Sequence, residues 1–317
     1  MKAVFLDYAT LGPGLDTSPL RDLIPDFEFF DATNEEQVAG RIGDAEFVIA
    51  NKVRVHDELM EQARNLRFIG LTATGTDNID LDSARRRGIA VSNIRGYCTR
   101  SVVEHVFGVL LMLTHNLHRY TAAVRAGAWQ ESRVFCLHDY PVRELSSMTI
   151  GIVGYGDLGR AVARRAHDFG MNVLISSRPG SVTVPEGRVS FDDLLEQSEV
   201  ISLHCPLSSE TENLFGEPEF QRMQADSILV NTARGALIDS AALVAALESG
   251  QIGAAAIDVL SNEPPVDGDP LLKYADNNLV LTPHIAWSTD RARQDAVNEL
   301  AANIAAFLNN EKRNRVV

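Results

Sequence analysis

Three residue types that together could reduce a carbonyl stand just past three successive apolar runs in this chain of 317 residues. Arg234 lies in Thr232-Ala233-Arg234-Gly235. Glu263 follows Asp258 in Asn262-Glu263-Pro264-Pro265. His284 lies in Thr282-Pro283-His284-Ile285-Ala286-Trp287. Arginine's planar fork holds a carboxylate with two parallel hydrogen bonds and polarises a neighbouring carbonyl. Histidine passes a proton near neutral pH, and a carboxylate beside it orients the ring and favours its charged form. Moving a hydride between a nicotinamide and a hydroxy acid needs this set: a cation on the carboxylate and carbonyl, and a proton carrier for the oxygen. Each residue alone has a plain alternative. Arg234 would then be a surface ion pair, Glu263 a solvated turn residue and His284 a loop residue with a satisfied hydrogen bond. Their joint placement beyond strand-like runs is what points to a site, because ligands collect past the carboxyl ends of parallel strands.

The elements that would position them begin at residues 149–165, TIGIVGYGDLGRAVARR. An apolar run meets Gly154, Gly156 and Gly159, and a helical pattern with Val162 and Ala166 on one side follows at once. In this order the first glycine allows a sharp turn, the second lets backbone approach a pyrophosphate, and the third lets helix and strand pack closely. The helix start then offers N–H groups to the phosphates. Tyr155, Asp157 and Leu158 complete the turn. Strands are expected at 150–153, 172–176, 200–203, 227–231, 254–258 and 278–281, with helices between them, which matches the doubly wound dinucleotide fold.

Ahead of it a first alternating series has strand-like runs at 4–6, 27–30, 47–50, 68–71 and 89–91, and helical stretches at 34–42, 56–63 and 80–87. This is a parallel sheet covered on both faces, without a glycine fingerprint. One helix, roughly 35 Å long, is expected from Ser101 to Arg125 with an apolar stripe from Val102 to Leu117. The stretch 129–148, with Trp129, Phe135 and Tyr140, is too apolar for a solvated tether and is expected to pack on something, a second subunit among the options. A helix over 290–308, capped by Ser288 or Thr289, is expected to dock on the first series. The domains are therefore discontinuous: 1–99 with 288–317 for substrate, and 100–287 for the dinucleotide.

A net charge of −14 argues against nucleic acid or an anionic membrane as a partner. The start of the chain carries no secretory apolar stretch, no window approaches a membrane span, and Glu104 and His105 interrupt the nearest candidate. The cytoplasm is the expected compartment. Cys98, Cys136 and Cys205 are widely spaced with no C-x-x-C pair, which suits a reducing compartment and buried thiols and argues against a structural metal site.

The run from GIVGYGDLGRAVARRAHDFGMNVL through SLHCPLSSET, VNTARGALID, AAIDVLSNEPP and TPHIAW resembles the D-isomer-specific 2-hydroxyacid dehydrogenases. LTATGTDNIDL, RGIAVSN and SVVEH extend the resemblance over nearly the whole chain. NKV at 51–53, FCLHDYPVREL at 135–145 and the ending RNRV look most like the bacterial glycerate dehydrogenases, or hydroxypyruvate reductases, of that family. The resemblance implies an α/β protein of two doubly wound parallel-sheet domains, a Rossmann-type dinucleotide-binding domain inserted into a flavodoxin-like substrate domain. It implies reduction of hydroxypyruvate or glyoxylate to D-glycerate or glycolate, with lactate or phosphoglycerate chemistry as alternatives within the class, by a homodimer. Arg234 would bind the substrate carboxylate and keto oxygen, and His284 would be the acid/base with Glu263 as its partner. Ala73, Thr74 and Gly75 would receive the carboxylate, with Lys52 a weaker candidate. His204, Cys205, Pro206, Thr211, Thr232, Ala233, Asp258 and Ala286 would line the cofactor, Asp258 near the nicotinamide amide.

The sequence departs from the dinucleotide pattern at one place. An acid is expected about 20 residues past the glycine turn, to accept from the ribose 2′-hydroxyl. Ser177 and Arg178 stand there instead, a hydroxyl and a guanidinium that would receive a 2′-phosphate, so NADP(H) is favoured over NAD(H). The alternative is that Arg178 points to solvent and either cofactor binds. Glu263 argues against formate dehydrogenases, which pair the histidine with glutamine. The short run beyond 308 leaves out the regulatory domain frequent in phosphoglycerate dehydrogenases. A reading from another class is a dinucleotide-sensing scaffold like the C-terminal-binding-protein corepressors, which resemble this family.

Overall fold

The apolar runs become strands of two parallel sheets, one in each of the units into which the chain divides, Met1–Cys98 with Trp287–Val317, and Thr99–Ala286. The computed structural model describes residues 1–181 and 183–317.

In the first unit the strands are β1 (Lys2–Phe5), β2 (Asp26–Phe29), β3 (Phe47–Ala50), β4 (Phe68–Leu71) and β5 (Ala90–Ser92), ordered β2-β1-β3-β4-β5. Helices α1 (Ser18–Arg21), α2 (Glu35–Ile42), α3 (Asp57–Gln62) and α4 (Leu81–Arg87) connect them. β3 and β4 are buried at every residue, as strands covered on both faces must be. Helix α2 opens with a reciprocal cap, Asn34 Oδ1 accepting from the Gln37 N–H and Gln37 Oε1 accepting in return from the Asn34 N–H.

The second unit holds α5 (Thr99–Thr114), α6 (Leu117–Arg125), β6 (Thr149–Val153), α7 (Asp157–Asp168), β7 (Asn172–Ile175), α8 (Phe191–Gln197), β8 (Val200–Leu203), α9 (Glu217–Arg222), β9 (Ile228–Asn231), α10 (Ser240–Glu248), β10 (Ala254–Ile257), α11 (Pro270–Lys273) and β11 (Leu279–Leu281). Its sheet runs β11-β10-β9-β8-β6-β7 over a core that includes Leu194, Ile201, Phe215, Leu229 and Ile257. The last helix, α12 (Asp290–Leu308), is capped by the Thr289 hydroxyl and lays Ala296, Val297, Leu300 and Ile304 against Phe47 and Phe68 in the first unit. In both sheets the chain leaves its first strand to one side and comes back on the other. This creates a crevice beyond the strand ends between β1 and β3, and another between β6 and β8.

The single helix expected from Ser101 to Arg125 is two. Asn116 takes a left-handed backbone, φ 50°, a conformation asparagine tolerates better than most residues, and its side-chain amide donates to the Pro141 carbonyl at 2.8 Å. The apolar stripe ends with α5. No residue of α6 is buried, and Leu117, expected on the stripe, is exposed. The following segment stays irregular up to a 3₁₀ turn at Leu145–Ser147, with Trp129, Val134 and Val142 exposed and Phe135 89% exposed.

Candidate active site

β9 ends at Asn231, whose side chain is fully buried. Its Nδ2 donates to the Arg234 carbonyl at 2.8 Å and its Oδ1 accepts from the Ala233 N–H at 2.9 Å, which folds residues 232–234 into a fixed turn. Arg234 Nη1 donates to the Ala233 carbonyl at 2.8 Å. The next residue is glycine because a Cβ there would stand 1.9 Å from the carbonyl carbon of Leu260. The turn after β9 thus lies backbone to backbone on the loop after β10, which carries Glu263. Glu263 Oε1 accepts from the Leu260 N–H at 2.9 Å, and its Oε2 meets His284 Nδ1 at 2.5 Å. A carboxylate only accepts, so Nδ1 holds a proton and Nε2 is the atom left to exchange one. His284 has a left-handed backbone, φ 56°, and its N–H donates to the carbonyls of Asp258 at 2.8 Å and Thr282 at 3.0 Å.

Asp258, expected beside the nicotinamide amide, is buried and spends both carboxylate oxygens on the His284 loop. Oδ1 accepts from the Thr282 hydroxyl at 2.6 Å and the Ile285 N–H at 2.9 Å, and Oδ2 from the Ala286 N–H at 2.9 Å. Ala286, expected to line the cofactor, is buried too.

The glycine turn has the space a pyrophosphate needs. Gly154 has φ 94°, and a Cβ on it would fall 2.4 Å from the Cys205 backbone nitrogen, so the ends of β6 and β8 meet there. A Cβ on Gly159 would lie 2.0 Å from the Gly154 carbonyl oxygen, while one on Gly156 would meet nothing within 4 Å. Gly156 caps α7 without a side-chain bond, leaving that helix start to the ligand face. Leu158 is half-buried, Asp157 stands exposed in the first helical turn, and the Tyr155 ring lies 5.7 Å from the Arg160 guanidinium and 5.9 Å from that of Arg188.

At the end of β7, Ser177 is buried, with its N–H on the Val189 carbonyl at 2.8 Å. Arg178 is exposed and pairs with Glu210 at 2.6 Å. Both line a pocket of about 210 Å³ with Arg188, Cys205, Pro206 and Thr211. Arg188, which sequence reading missed, is anchored by Nη1 donating to the Ser176 carbonyl at 3.0 Å. The Thr211 hydroxyl is spent within its own loop, on the Pro206 carbonyl at 2.8 Å. Burial pushes the Cys205 thiol up to about 11 and the His204 imidazole down to about 4. His204 Nε2 lies 2.9 Å from the Ser202 hydroxyl, while its Nδ1 and the Thr232 hydroxyl are buried without a partner. Two orphaned polar atoms at adjacent strand ends, next to a turn with open backbone, fit a dinucleotide with hydroxyl and phosphate oxygens. Among the described residues no group of three or more His, Cys, Asp or Glu is placed to hold a metal ion.

In the first unit Lys52 is exposed and follows β3. Its loop is held by Asp7, a buried carboxylate after β1 that accepts from the N–H groups of Asn51 at 2.8 Å, Lys52 at 2.6 Å and Val53 at 3.0 Å. Asp7 too was missed; its only sequence signal is an acid closing the first apolar run. Ala73, Thr74 and Gly75 follow β4. The carbonyls of Ala73 and Thr74 accept from the Ile94 N–H and the Asn93 amide, and the Thr74 hydroxyl donates to the Ile94 carbonyl.

Residues 107–286 match the family model described as D-isomer specific 2-hydroxyacid dehydrogenase, NAD binding domain. The chain is 38% identical over 317 residues to a glycerate dehydrogenase of Methylorubrum extorquens, covering 99% of this chain and 98% of that one. It is 37% identical to a hydroxypyruvate reductase of Blautia hydrogenotrophica, covering 97% of each. An acyclic imino acid reductase solved with NADPH and D-Arg is similar over 100% of both chains, with a TM-score of 0.86 and 30% identity.

Proposed function

The chain belongs to the D-isomer-specific 2-hydroxyacid dehydrogenases, and within that family we propose that it reduces hydroxypyruvate and glyoxylate to D-glycerate and glycolate. The observation that carries this reading is the His284–Glu263 pair at 2.5 Å, one strand end from Arg234. A nicotinamide dinucleotide supplies the hydride. Arg234 grips the substrate carboxylate and stabilises charge on the keto oxygen, His284 Nε2 donates a proton to that oxygen, and Glu263 steadies the imidazolium until it does so. Ala73, Thr74, Gly75 and Lys52 take the substrate carboxylate. The relatives named glycerate dehydrogenase and hydroxypyruvate reductase support the substrate class.

The cofactor is a nicotinamide dinucleotide, and NADP(H) is the better fit. Ser177, Arg178 and Arg188 line one pocket where an NAD(H) site of this fold would carry an acid. Glu210 opposes this by holding Arg178. Exposed Trp129, Val134, Phe135 and Val142 support a homodimer built on that segment. No described helix is long and apolar enough to cross a membrane, which is compatible with the cytoplasm.

The test is loss of NADPH and NADH absorbance with hydroxypyruvate, glyoxylate, pyruvate and 3-phosphohydroxypyruvate. His284→Ala is expected to lower kcat by about 10²- to 10⁴-fold while dinucleotide binding survives. Unchanged turnover in that variant sinks the acid/base assignment, and a strong NADH preference in the wild type sinks the cofactor choice.

A further inference from the structure

Helix α5, buried mainly through apolar residues, carries two polar side chains one turn apart, Ser101 and His105. Both reach the loop that bears His284. Ser101 Oγ donates to the Ala286 carbonyl at 2.6 Å, and His105 Nε2 lies 3.3 Å from the Thr282 hydroxyl oxygen. Valence fixes the direction of the second bond. Thr282 has one hydroxyl proton and gives it to Asp258 Oδ1 at 2.6 Å, so His105 Nε2 must carry a proton and donate. The loop is therefore gripped at its first residue by His105 through Thr282, at its last by Ser101, and along its inner side by Asp258.

The residue between those grips is His284, at φ 56°. A left-handed backbone is uncommon outside glycine and persists only where the surroundings over-determine it. The Asp258 carboxylate supplies part of that determination through the Ile285 and Ala286 N–H groups. It does so in a fixed orientation only while the Thr282 hydroxyl stays turned towards Oδ1. A hydroxyl rotor with no donor behind it is free to turn away.

We propose that His105 is a positioning residue for proton transfer: through Thr282 and Asp258 it holds the His284 loop in the backbone conformation that keeps the imidazole on Glu263. This rests on the reading of His284 as the acid/base. Removing His105 leaves the substrate's carboxylate contacts and the glycine turn untouched, so the loss falls on the proton-transfer step and not on binding.

The test is a cycle of His105→Ala, Thr282→Val and the double variant, with His105→Gln as the conservative replacement. The assay uses NADPH and the 2-keto acid turned over fastest by the wild type. Each single variant is expected to lower kcat roughly ten- to a hundredfold, the scale of a misplaced catalytic group. KM for the keto acid and the dissociation constant for NADPH, read by fluorescence, should stay within about twofold because no binding group is removed. The double variant should be no worse than the worse single, since both break one relay. His105→Gln, which returns an N–H at similar reach, should recover most of the rate. Additive losses, a loss confined to KM, or unchanged kcat would each overturn the proposal. If His105→Ala does not fold, Thr282→Val and His105→Gln still decide it. His284→Ala separates the two readings: turnover surviving there breaks the acid/base assignment, whereas a dead His284→Ala beside active His105 and Thr282 variants breaks only this one.

Discussion

At the scale of single residues, His204 shows how an orphaned group can report on the site through stability. Its imidazole is pushed down to about 4 because burial disfavours the charged ring. The unfolded chain takes up that proton near its ordinary value of 6.5, the folded protein only near 4. Between those values the unfolded state binds more protons, so stability rises with pH. The contribution is complete above about pH 6.5 and is lost as pH falls towards 4, by about 3 kcal/mol in all. Urea midpoints of the cofactor-free protein at pH 7 and pH 4.5 should therefore fall more steeply than those of His204→Asn, and parallel falls would refute the assignment. The candidate residues legible in the sequence were those whose type was out of place after an apolar run: Arg234, Glu263 and His284. Asn231 and Asp7 were not, because they act on backbone groups that only the fold brings near. Arg188 escaped because it reaches the end of β7 through space, from beyond the loop that follows it.

Elements repeat one device in both units. A buried carboxylate just past a strand accepts hydrogen bonds from a loop past another strand: Asp7 for residues 51–53 after β3, and Asp258 for residues 282–286 after β11. Several hydrogen-bond donors balance each charge, which would otherwise be costly in the interior, and Asp258 Oδ1 also has His105 Nε2 at 3.9 Å. Asp7→Asn keeps one accepting oxygen and loses the charge, and each weakened bond to a charged group is worth about 1.5–3 kcal/mol. The variant is expected to raise KM for the keto acid several-fold with NADPH affinity unchanged, because the loosened loop carries Lys52. An unaltered KM, measured by steady-state kinetics, would remove Lys52 and its loop from the substrate site. Strand positions were readable to within a residue or two because continuous apolar runs between turn residues allow little else. The break at Asn116 was not, since apolar residues on its two sides keep a helical period, and the turn depends on a hydrogen bond to Pro141.

For the whole molecule the question is how one chain of net charge −14 would gather an anionic cofactor and an anionic acid. On the proposed function it would do so through cations near strand ends, Arg178, Arg188 and Arg234, where local fields outweigh the total. All three lie in the inserted unit, Thr99–Ala286. That unit has its own core and nearly joined ends, since Ser101 near its start donates to the Ala286 carbonyl at its close. The remainder is likewise stitched at the cut, with the Tyr97 and Trp287 rings 6.2 Å apart. An insertion whose ends meet can be lifted out without leaving a long gap in either piece. Residues 99–286 expressed alone should therefore fold cooperatively and bind NADPH. A concentration of 100 times the dissociation constant adds about 2.7 kcal/mol, or on the order of 5–10 °C in Tm for a domain of this size. If Lys52 and residues 73–75 take the substrate carboxylate as proposed, the same fragment should not turn over hydroxypyruvate. Calorimetry with and without NADPH checks the first expectation. A fragment that melts without cooperativity, or whose Tm ignores the dinucleotide, would show that cofactor binding needs more than the unit that carries the glycine turn. Turnover by the fragment would instead remove the first unit from the substrate site.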